Sequence, residues 1–438
     1  MRAVLGEART AGCRGHRQEC HEGRRGWRVG RSGGGGAGVR RTDGRTTGRD
    51  AVGVSTPAAD PSVDLAPFGI AVGHATDAGG ATGLTVVRGV DGPLRASAAV
   101  VGRATGTREL GVLAPTHLTG RVDAVLLTGG SAYGLDAAAG VMRWMEERGR
   151  GFPVGPGVVP IVPAAVIFDL APLGRFDARP TPAMAYAACD SARSDDVAEG
   201  SVGAGTGATV GKGAGPTWAM KGGFGYAVAA AGEGADHVSV VALAVVNAFG
   251  DVRDATGAII AGSRRAEGGF ADTAALLAGR PGGVGHFDDV AARNTTLAVV
   301  AVTAPLERVE LYQLARGASA ALYRRITPAG TSFDGDVVFA VCPWEVRRDT
   351  PRGEVPPPGG PPQLHDAAES APSEHRFAAD SVHSARSTRL ALVALEALAG
   401  QTLELAIERA VRLARGRDGV PGLADRAESG AGPTGVIL

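Results

Sequence analysis

From residue 68 onward the chain alternates short apolar, β-branched runs with stretches of helical spacing, and Gly, Pro and Asp punctuate the joints. Residues 68–74, 82–87, 98–101, 122–127, 238–247, 297–303 and 337–341 read as strands, and 238–247 is apolar enough to be a central one. Residues 158–168 are similar but carry Pro160 and Pro163, so an edge-like or bent strand is expected there. Leu135, Ala139, Met142 and Met145 recur near helical spacing within 132–148, and Gly149 stops the run. Further helices are predicted at 183–189, 271–278, 306–324 and, as one helix or a pair, 378–414. Glu307 and Glu310 open the helix at 306, where its dipole favours acidic groups. Strands and helices alternate without internal repeats, which predicts an α/β or layered α+β core.

Two stretches break the pattern. Residues 1–62 are rich in Gly and Arg, include the run Gly33-Gly-Gly-Gly36, and lack apolar periodicity. Such a segment cannot bury enough surface to offset the entropy of ordering, so a disordered extension, or an over-read start of the frame, is expected. Residues 346–375, after Cys342-Pro-Trp344, are Pro-rich and charged and read as a linker or insertion. Hydrophobic residues make up 44% and charged residues 21%, ordinary for a globular protein, and the 438 residues allow several domains or one large domain with tails. A formal net charge of zero argues against nucleic-acid or anionic-membrane binding by bulk charge. Cys13, Cys20, Cys189 and Cys342 are scattered, without zinc-site spacing. No apolar run reaches the roughly 18 residues of a membrane helix, and the first residues lack the order of a secretory signal. A cytoplasmic protein without metal or cofactor is the default expectation.

Several motifs could carry chemistry. Thr128-Gly-Gly-Ser131-Ala-Tyr133-Gly134 sits where a serine nucleophile elbow would, but G-x-S-x-G needs Gly where Tyr133 stands. A close-packing turn is the plainer reading, with N–H groups able to hold an anionic group. The stretch from Gly203 to Lys212-Gly213 approaches a phosphate loop, yet that pattern needs Gly at Thr206 and Ser or Thr at Gly213. A loop lining a substrate site fits better. Asn247 ends the most apolar strand; its amide is either a satisfied structural group or a donor to an oxyanion. In Thr331-Ser-Phe-Asp334-Gly-Asp336 two carboxylates share one side of an extended segment, where they could orient an amine and a hydroxyl; a plain Asp-Gly turn is the alternative, and a calcium loop lacks the other oxygen ligands. At Asn294-Thr295-Thr296 a polar loop turns into a buried run. Thr295 either opens a strand, as Thr readily does, or becomes a new N-terminus by cleavage after Asn294.

Taken in order, these pieces resemble one family. Val72-Gly-His74, Val122-Asp-Ala-Val-Leu-Leu-Thr-Gly-Gly-Ser-Ala-Tyr-Gly-Leu-Asp-Ala137, Gly149-Arg-Gly-Phe152, Val159-Pro-Ile-Val-Pro-Ala-Ala-Val-Ile-Phe-Asp169, Gly203-Ala-Gly-Thr-Gly207, Lys221-Gly-Gly223, Val246-Asn247, Asn294-Thr295-Thr296 and Phe333-Asp-Gly-Asp336 are similar to the DmpA-type self-processing aminopeptidases. That family includes L-aminopeptidase D-Ala-esterase/amidase, the β-peptidyl aminopeptidases and the nylon-oligomer hydrolase. The resemblance spans residues 68–341 and the final helices. It implies an αββα layered sandwich, similar to N-terminal-nucleophile hydrolases but with its own connectivity. It implies one catalytic domain cut into a large part, 63–294, and a small part, 295–438. Such processed pairs assemble as homo-oligomers, typically tetramers, and need no metal. The Asn-Thr junction matches the threonine branch. By resemblance, then, Thr295 is the nucleophile, Asn247 stabilises the oxyanion, and Asp334 and Asp336 contact the nucleophile. Lys221 falls near a site lysine of the nylon-oligomer branch. Phe168 stands where some members carry a functional Tyr, with one hydrogen bond fewer; with Ser131 and Tyr133 it is a candidate substrate-binding residue.

The chemistry is coherent. A Thr hydroxyl is a weak nucleophile until its own amine, with a pKa of about 8, is freed to accept the proton directly or through water. An Asn247 donor would contribute roughly 3 kcal/mol to the oxyanion. Self-cleavage would use the same hydroxyl against the Asn294 carbonyl through an ester. The expected function is an N-terminal-threonine aminopeptidase or amidase acting on small peptides or amides. The alternatives are a hydrolase of ω-amino-acid oligomers and a non-catalytic small-molecule binder of the same fold.

Overall fold

The computed structural model describes residues 63–231, 238–279, 294–344 and 377–425, with side chains from 392 onward in the last stretch. The expected extension 1–62 and the Pro-rich insert 346–375 lie outside the described residues. Everything below belongs to the unit Thr56–Leu438.

Two sheets stack face to face. Their strands, in chain order, are β1 (Ile70–Asp77), β2 (Thr82–Gly89), β3 (Leu94–Val100), β4 (Thr107–Arg108), β5 (Arg121–Val122), β6 (Ala124–Thr128), β7 (Ala164–Val166), β8 (Gly223–Ala231), β9 (Val238–Asn247), β10 (Thr295–Val302) and β11 (Val337–Pro343). The first sheet has the order β1-β2-β6-β7-β4 and the second β8-β9-β10-β11-β3-β5. Neighbours are antiparallel except β6–β7 and β10–β11. Among the described residues the α-helices are α1 (Ala138–Glu146), α2 (Pro182–Asp190), the short α3 (Thr273–Ala278), α4 (Arg308–Arg325) and α5 (Phe377–Arg412).

The two-residue period of β9 builds the layers. Val241, Leu243 and Val245 point between the sheets, where they join Val72, Val125, Leu297, Val299 and Phe339. Val240, Ala242, Ala244 and Val246 point outward, against Leu311, Leu314 and Leu322 of α4 and Leu403, Ala406 and Ile407 of α5. On the far side, Leu84, Val86 and Leu126 of the first sheet bury Val141, Met145, Ala185 and Ala188 of α1 and α2. The result is the αββα sandwich that the family resemblance implies.

Some elements differ from the expectation. The helix predicted at 132–148 begins as a tight 3-10 segment, Ser131–Ala137, before α1. Gly130 and Ser131 both take left-handed backbone, φ 79° and 52°, and a Cβ at Gly134 would meet the Gly129 carbonyl at 1.9 Å. The stretch 158–168 is bent and not an edge: residues 158–159 close a short hairpin strand, Gly157–Val159, and the chain then turns into β7, Ala164–Val166, which β6 and β4 flank on both sides. Pro160 and Pro163 precede it, so no ladder donor is lost, and the Pro163 carbonyl accepts the Leu126 N–H. Strand β8 was hidden by its glycines. They are needed because α5 lies against its backbone: a Cβ at Gly225 would stand 2.4 Å from the Ala410 nitrogen. β3 starts at Leu94 rather than at 98, and the final helical stretch is one helix.

Candidate active site

Strand register gathers the predicted residues at one end of the second sheet. β9 and β10 are antiparallel with Asn247 opposite Thr295. β11 is parallel to β10, so the segment leading into it passes beside residues 294–296, and Asn294 and Asp334 form a parallel bridge. Asn247, Asn294, Thr295, Asp334 and Asp336 are all buried, although all are polar. Buried polar groups need partners, and the partners define the site.

The Thr295 hydroxyl donates to the carbonyl oxygen of Asn294 at 2.5 Å. The Gly335 main-chain N–H donates to the same oxygen at 3.0 Å. Asp336 Oδ1 accepts the Thr296 N–H at 2.6 Å, and Oδ2 accepts the Gly330 N–H at 3.2 Å. Asp334 Oδ2 accepts the Thr331 N–H at 2.8 Å. Burial, and then the charge of Asp334, pushes the Asp336 carboxyl up to about 7. Burial raises Asp334 as well, against hydrogen bonds from Thr331 and the charge of Lys212. Burial thus favours the neutral form of both carboxyls in the segment beside Thr295.

Asn247 is oriented by donors on one side and an acceptor on the other. Its Oδ1 accepts the Thr209 N–H and Lys212 Nζ, each at 3.0 Å. Its Nδ2 donates to the Phe168 carbonyl oxygen at 3.0 Å. The Phe168 backbone, two residues past the end of β7, therefore reaches the cluster. Lys212 Nζ also bonds the Asn247 main-chain oxygen at 3.1 Å and Asn294 Oδ1 at 3.3 Å. One ammonium bridges Asn247, the residue opposite Thr295, and Asn294, the residue before it.

Lys221, the lysine named from the sequence, does a different job. Its Nζ donates to the carbonyls of Gly205, Thr206, Ala208 and Gly222 at 2.8–3.2 Å. Burial lowers its pKa to about 7; Arg417 adds to this and Asp169 opposes it. The glycine-dense loop thus turns its carbonyls onto a cation, whereas a phosphate cradle turns N–H groups onto an anion. Lys212 was missed as a site residue. The signal was present: the chain has only two lysines, and Lys212 closes the loop expected to line a substrate site. Gly335, between the two aspartates, was missed because its contribution is a backbone N–H.

Ser131 and Tyr133 sit further out. The Ser131 N–H donates to the Ile167 carbonyl at 3.0 Å. Asp169, raised to about 6 by burial, holds the turn by accepting the Gly130 N–H and the Thr82 hydroxyl, each at 2.6 Å. The Tyr133 ring is exposed, 3.5 Å under the Arg179 guanidinium and edge-to-face with Phe176. Neither residue is hydrogen-bonded to Thr295 or Asn247 among the described residues. No group of three or more His, Cys, Asp or Glu able to hold a metal, and no helix long and apolar enough to cross a membrane, occurs among the described residues.

Residues 64–422 match the model of Peptidase family S58. An uncharacterized aminopeptidase of Mycobacterium bovis is 43% identical, over 67% of this chain and 83% of its own. A 6-aminohexanoate-oligomer endohydrolase of Kocuria sp. is 29% identical, over 70% of this chain and 79% of its own. Among solved structures, a Burkholderia sp. β-aminopeptidase superposes with a TM-score of 0.56 at 20% identity, covering 87% of this chain and 97% of that one. The L-aminopeptidase D-Ala-esterase/amidase of Ochrobactrum anthropi, described as a variant of the Ntn-hydrolase fold, superposes with a TM-score of 0.50 at 20% identity, covering 80% and 86%. At such identity the structures speak for the fold alone. The match over nearly all of the described residues, together with the 43% identical relative, shows that the chain belongs to peptidase family S58, the DmpA-type aminopeptidases, and is a hydrolase of peptide bonds.

Proposed function

We propose that the chain cuts itself between Asn294 and Thr295, and that the freed Thr295 is the nucleophile of an aminopeptidase or amidase acting on small peptides and amino-acid amides. The observation that carries this reading is the Thr295 hydroxyl, 2.5 Å from the Asn294 carbonyl oxygen inside a buried polar cluster. A Thr that merely opened a strand would need no such company. Asp336 takes the N–H of the next residue, and Lys212 fixes the side chain of the residue before.

In the first turnover the hydroxyl attacks the Asn294 carbonyl carbon and the C–N bond breaks. The hydroxyl proton ends on the Thr295 nitrogen, and water then hydrolyses the ester. In later turnovers the freed amine takes the hydroxyl proton and passes it to the substrate's leaving amine, the acyl part forms the ester on Thr295, and water hydrolyses that ester to release the acid and restore the hydroxyl. Asn247, held opposite Thr295, is the side-chain amide nearest in strand register and is assigned to the substrate oxyanion. The 43% identical relative is named an aminopeptidase, which favours that substrate class over the ω-amino-acid oligomers named for the 29% identical relative.

The test is hydrolysis of amino-acid p-nitroanilides, amides and short peptides, with 6-aminohexanoate oligomers alongside. The unsubstituted protein should turn over the aminoacyl substrates faster. Thr295→Ala should turn over none, and a folded Thr295→Ala protein with full activity would end the proposal.

A further inference from the structure

The oxygen that must carry negative charge during self-cleavage is that of Asn294, and the main-chain N–H of Gly335 donates to it at 3.0 Å. Asn247 Nδ2 donates to the Phe168 carbonyl. Resting on the self-cleavage reading, we infer that the Gly335 N–H is the oxyanion donor for the cut after Asn294, a catalytic role separate from that of the Asn247 amide in substrate turnover.

Three features beyond the single distance support this. The peptide groups around Gly335 are pinned in advance. Ala104 N–H donates to the Asp334 carbonyl at 2.9 Å, and Val101 and Gly102 N–H donate to the Asp336 carbonyl at 2.9 and 3.2 Å. A donor fixed before the reaction stabilises developing charge without reorganising. The pinning also requires contact too close for a side chain on the opposing strand, where a Cβ at Gly102 would stand 2.0 Å from the Asp334 oxygen. Finally, a Cβ at Gly335 itself would stand 2.7 Å from Thr295 Oγ1 and 2.8 Å from the Ala104 oxygen. Position 335 therefore leaves the nucleophile its space and gives the leaving bond its donor, which only glycine does at that spot.

The step balances within the chain. Thr295 Oγ1 forms a bond to the Asn294 carbonyl carbon, and the C=O electron pair moves onto the oxygen held by Gly335. The pair returns as the C–N bond breaks, and the proton lost by Oγ1 is gained by the Thr295 nitrogen.

The test replaces the 335 amide by an ester, with glycolic acid delivered by a suppressor tRNA in cell-free translation of the full chain. Splitting is followed on a denaturing gel. Loss of one oxyanion donor slows such reactions about 100- to 1,000-fold, and that slowing is expected. Splitting at the unsubstituted rate overturns the inference while leaving the Thr295 reading intact; an unsubstituted chain that never splits overturns both. Two further measurements do not depend on how the ester chain folds. In the uncut Thr295→Ala chain the 335 amide should exchange its hydrogen slowly, and exchange as fast as an exposed amide would overturn the inference. Gly335→Ala should stay uncut, because its methyl group meets the hydroxyl; complete cutting of that variant would overturn the placement of the donor.

Discussion

Lys212→Met is the most informative substitution in the site. It keeps the length and apolar stem of the side chain and removes only the ammonium. Bonds to Asn247 Oδ1, the Asn247 carbonyl and Asn294 Oδ1, at 3.0, 3.1 and 3.3 Å, go with it. The last of these holds the residue before the proposed cut. A hydrogen bond from a charged donor is worth about 1.5–3 kcal/mol, and about 1.4 kcal/mol is tenfold in rate. If the Asn294 bond acts on the cleavage geometry, its loss slows splitting by about 10- to 150-fold. The charge matters separately. Lys212 holds the Asp334 carboxyl down against burial, so without it that carboxyl rises further. Its ionised form then persists only at higher pH, and the acid limb of the splitting rate moves up. The assay is a gel time course on freshly purified Lys212→Met chain from acid to alkaline pH. Splitting as fast as in the unsubstituted chain, with an unmoved acid limb, would refute the role given to Lys212.

Three other outcomes follow from the same geometry. Ser131→Ala should leave the cut intact, since Ser131 is tied to Ile167 by its backbone and not to Thr295; loss of cutting on a gel would reopen the serine reading. Phe339, fully buried between the sheets, should cost about 3–5 kcal/mol on Phe339→Ala in urea unfolding of the uncut Thr295→Ala chain, and a loss under about 1 kcal/mol would contradict its packing. Asp336 is raised from 3.8 to about 7 in the fold, so its share of stability is complete below 3.8 and is lost as pH rises through about 7. Asp336→Asn in the Thr295→Ala background should remove that share of the pH dependence, read from urea midpoints; Asp169, raised likewise to about 6, remains in both proteins and cancels in the difference. An unchanged slope would show that Asp336 is not the group responsible.

The layers were legible because period-two and helical patterns leave a direct trace in side-chain type. Val241, Leu243 and Val245 alternate with Val240, Ala242 and Ala244, and each set meets a different layer. Asn247, Thr295, Asp334 and Asp336 were legible as polar residues at the ends of apolar runs, and register brings them to one place. What escaped has a physical reason in each case. β8 escaped because close helix packing requires glycine where a strand would ordinarily show branched residues. Lys212 and Lys221 share one glycine-dense stretch, and only three-dimensional folding decides which ammonium turns to the loop carbonyls and which to Asn247 and Asn294. Gly335 escaped because a backbone donor leaves no side-chain signature.

Intact mass and N-terminal sequencing of the purified protein address the central claim most directly. Two fragments, the smaller beginning Thr295-Thr296-Leu297, are the expected result, with Thr295→Ala recovered whole. A single chain at 44.0 kDa that still hydrolyses aminoacyl substrates would contradict it.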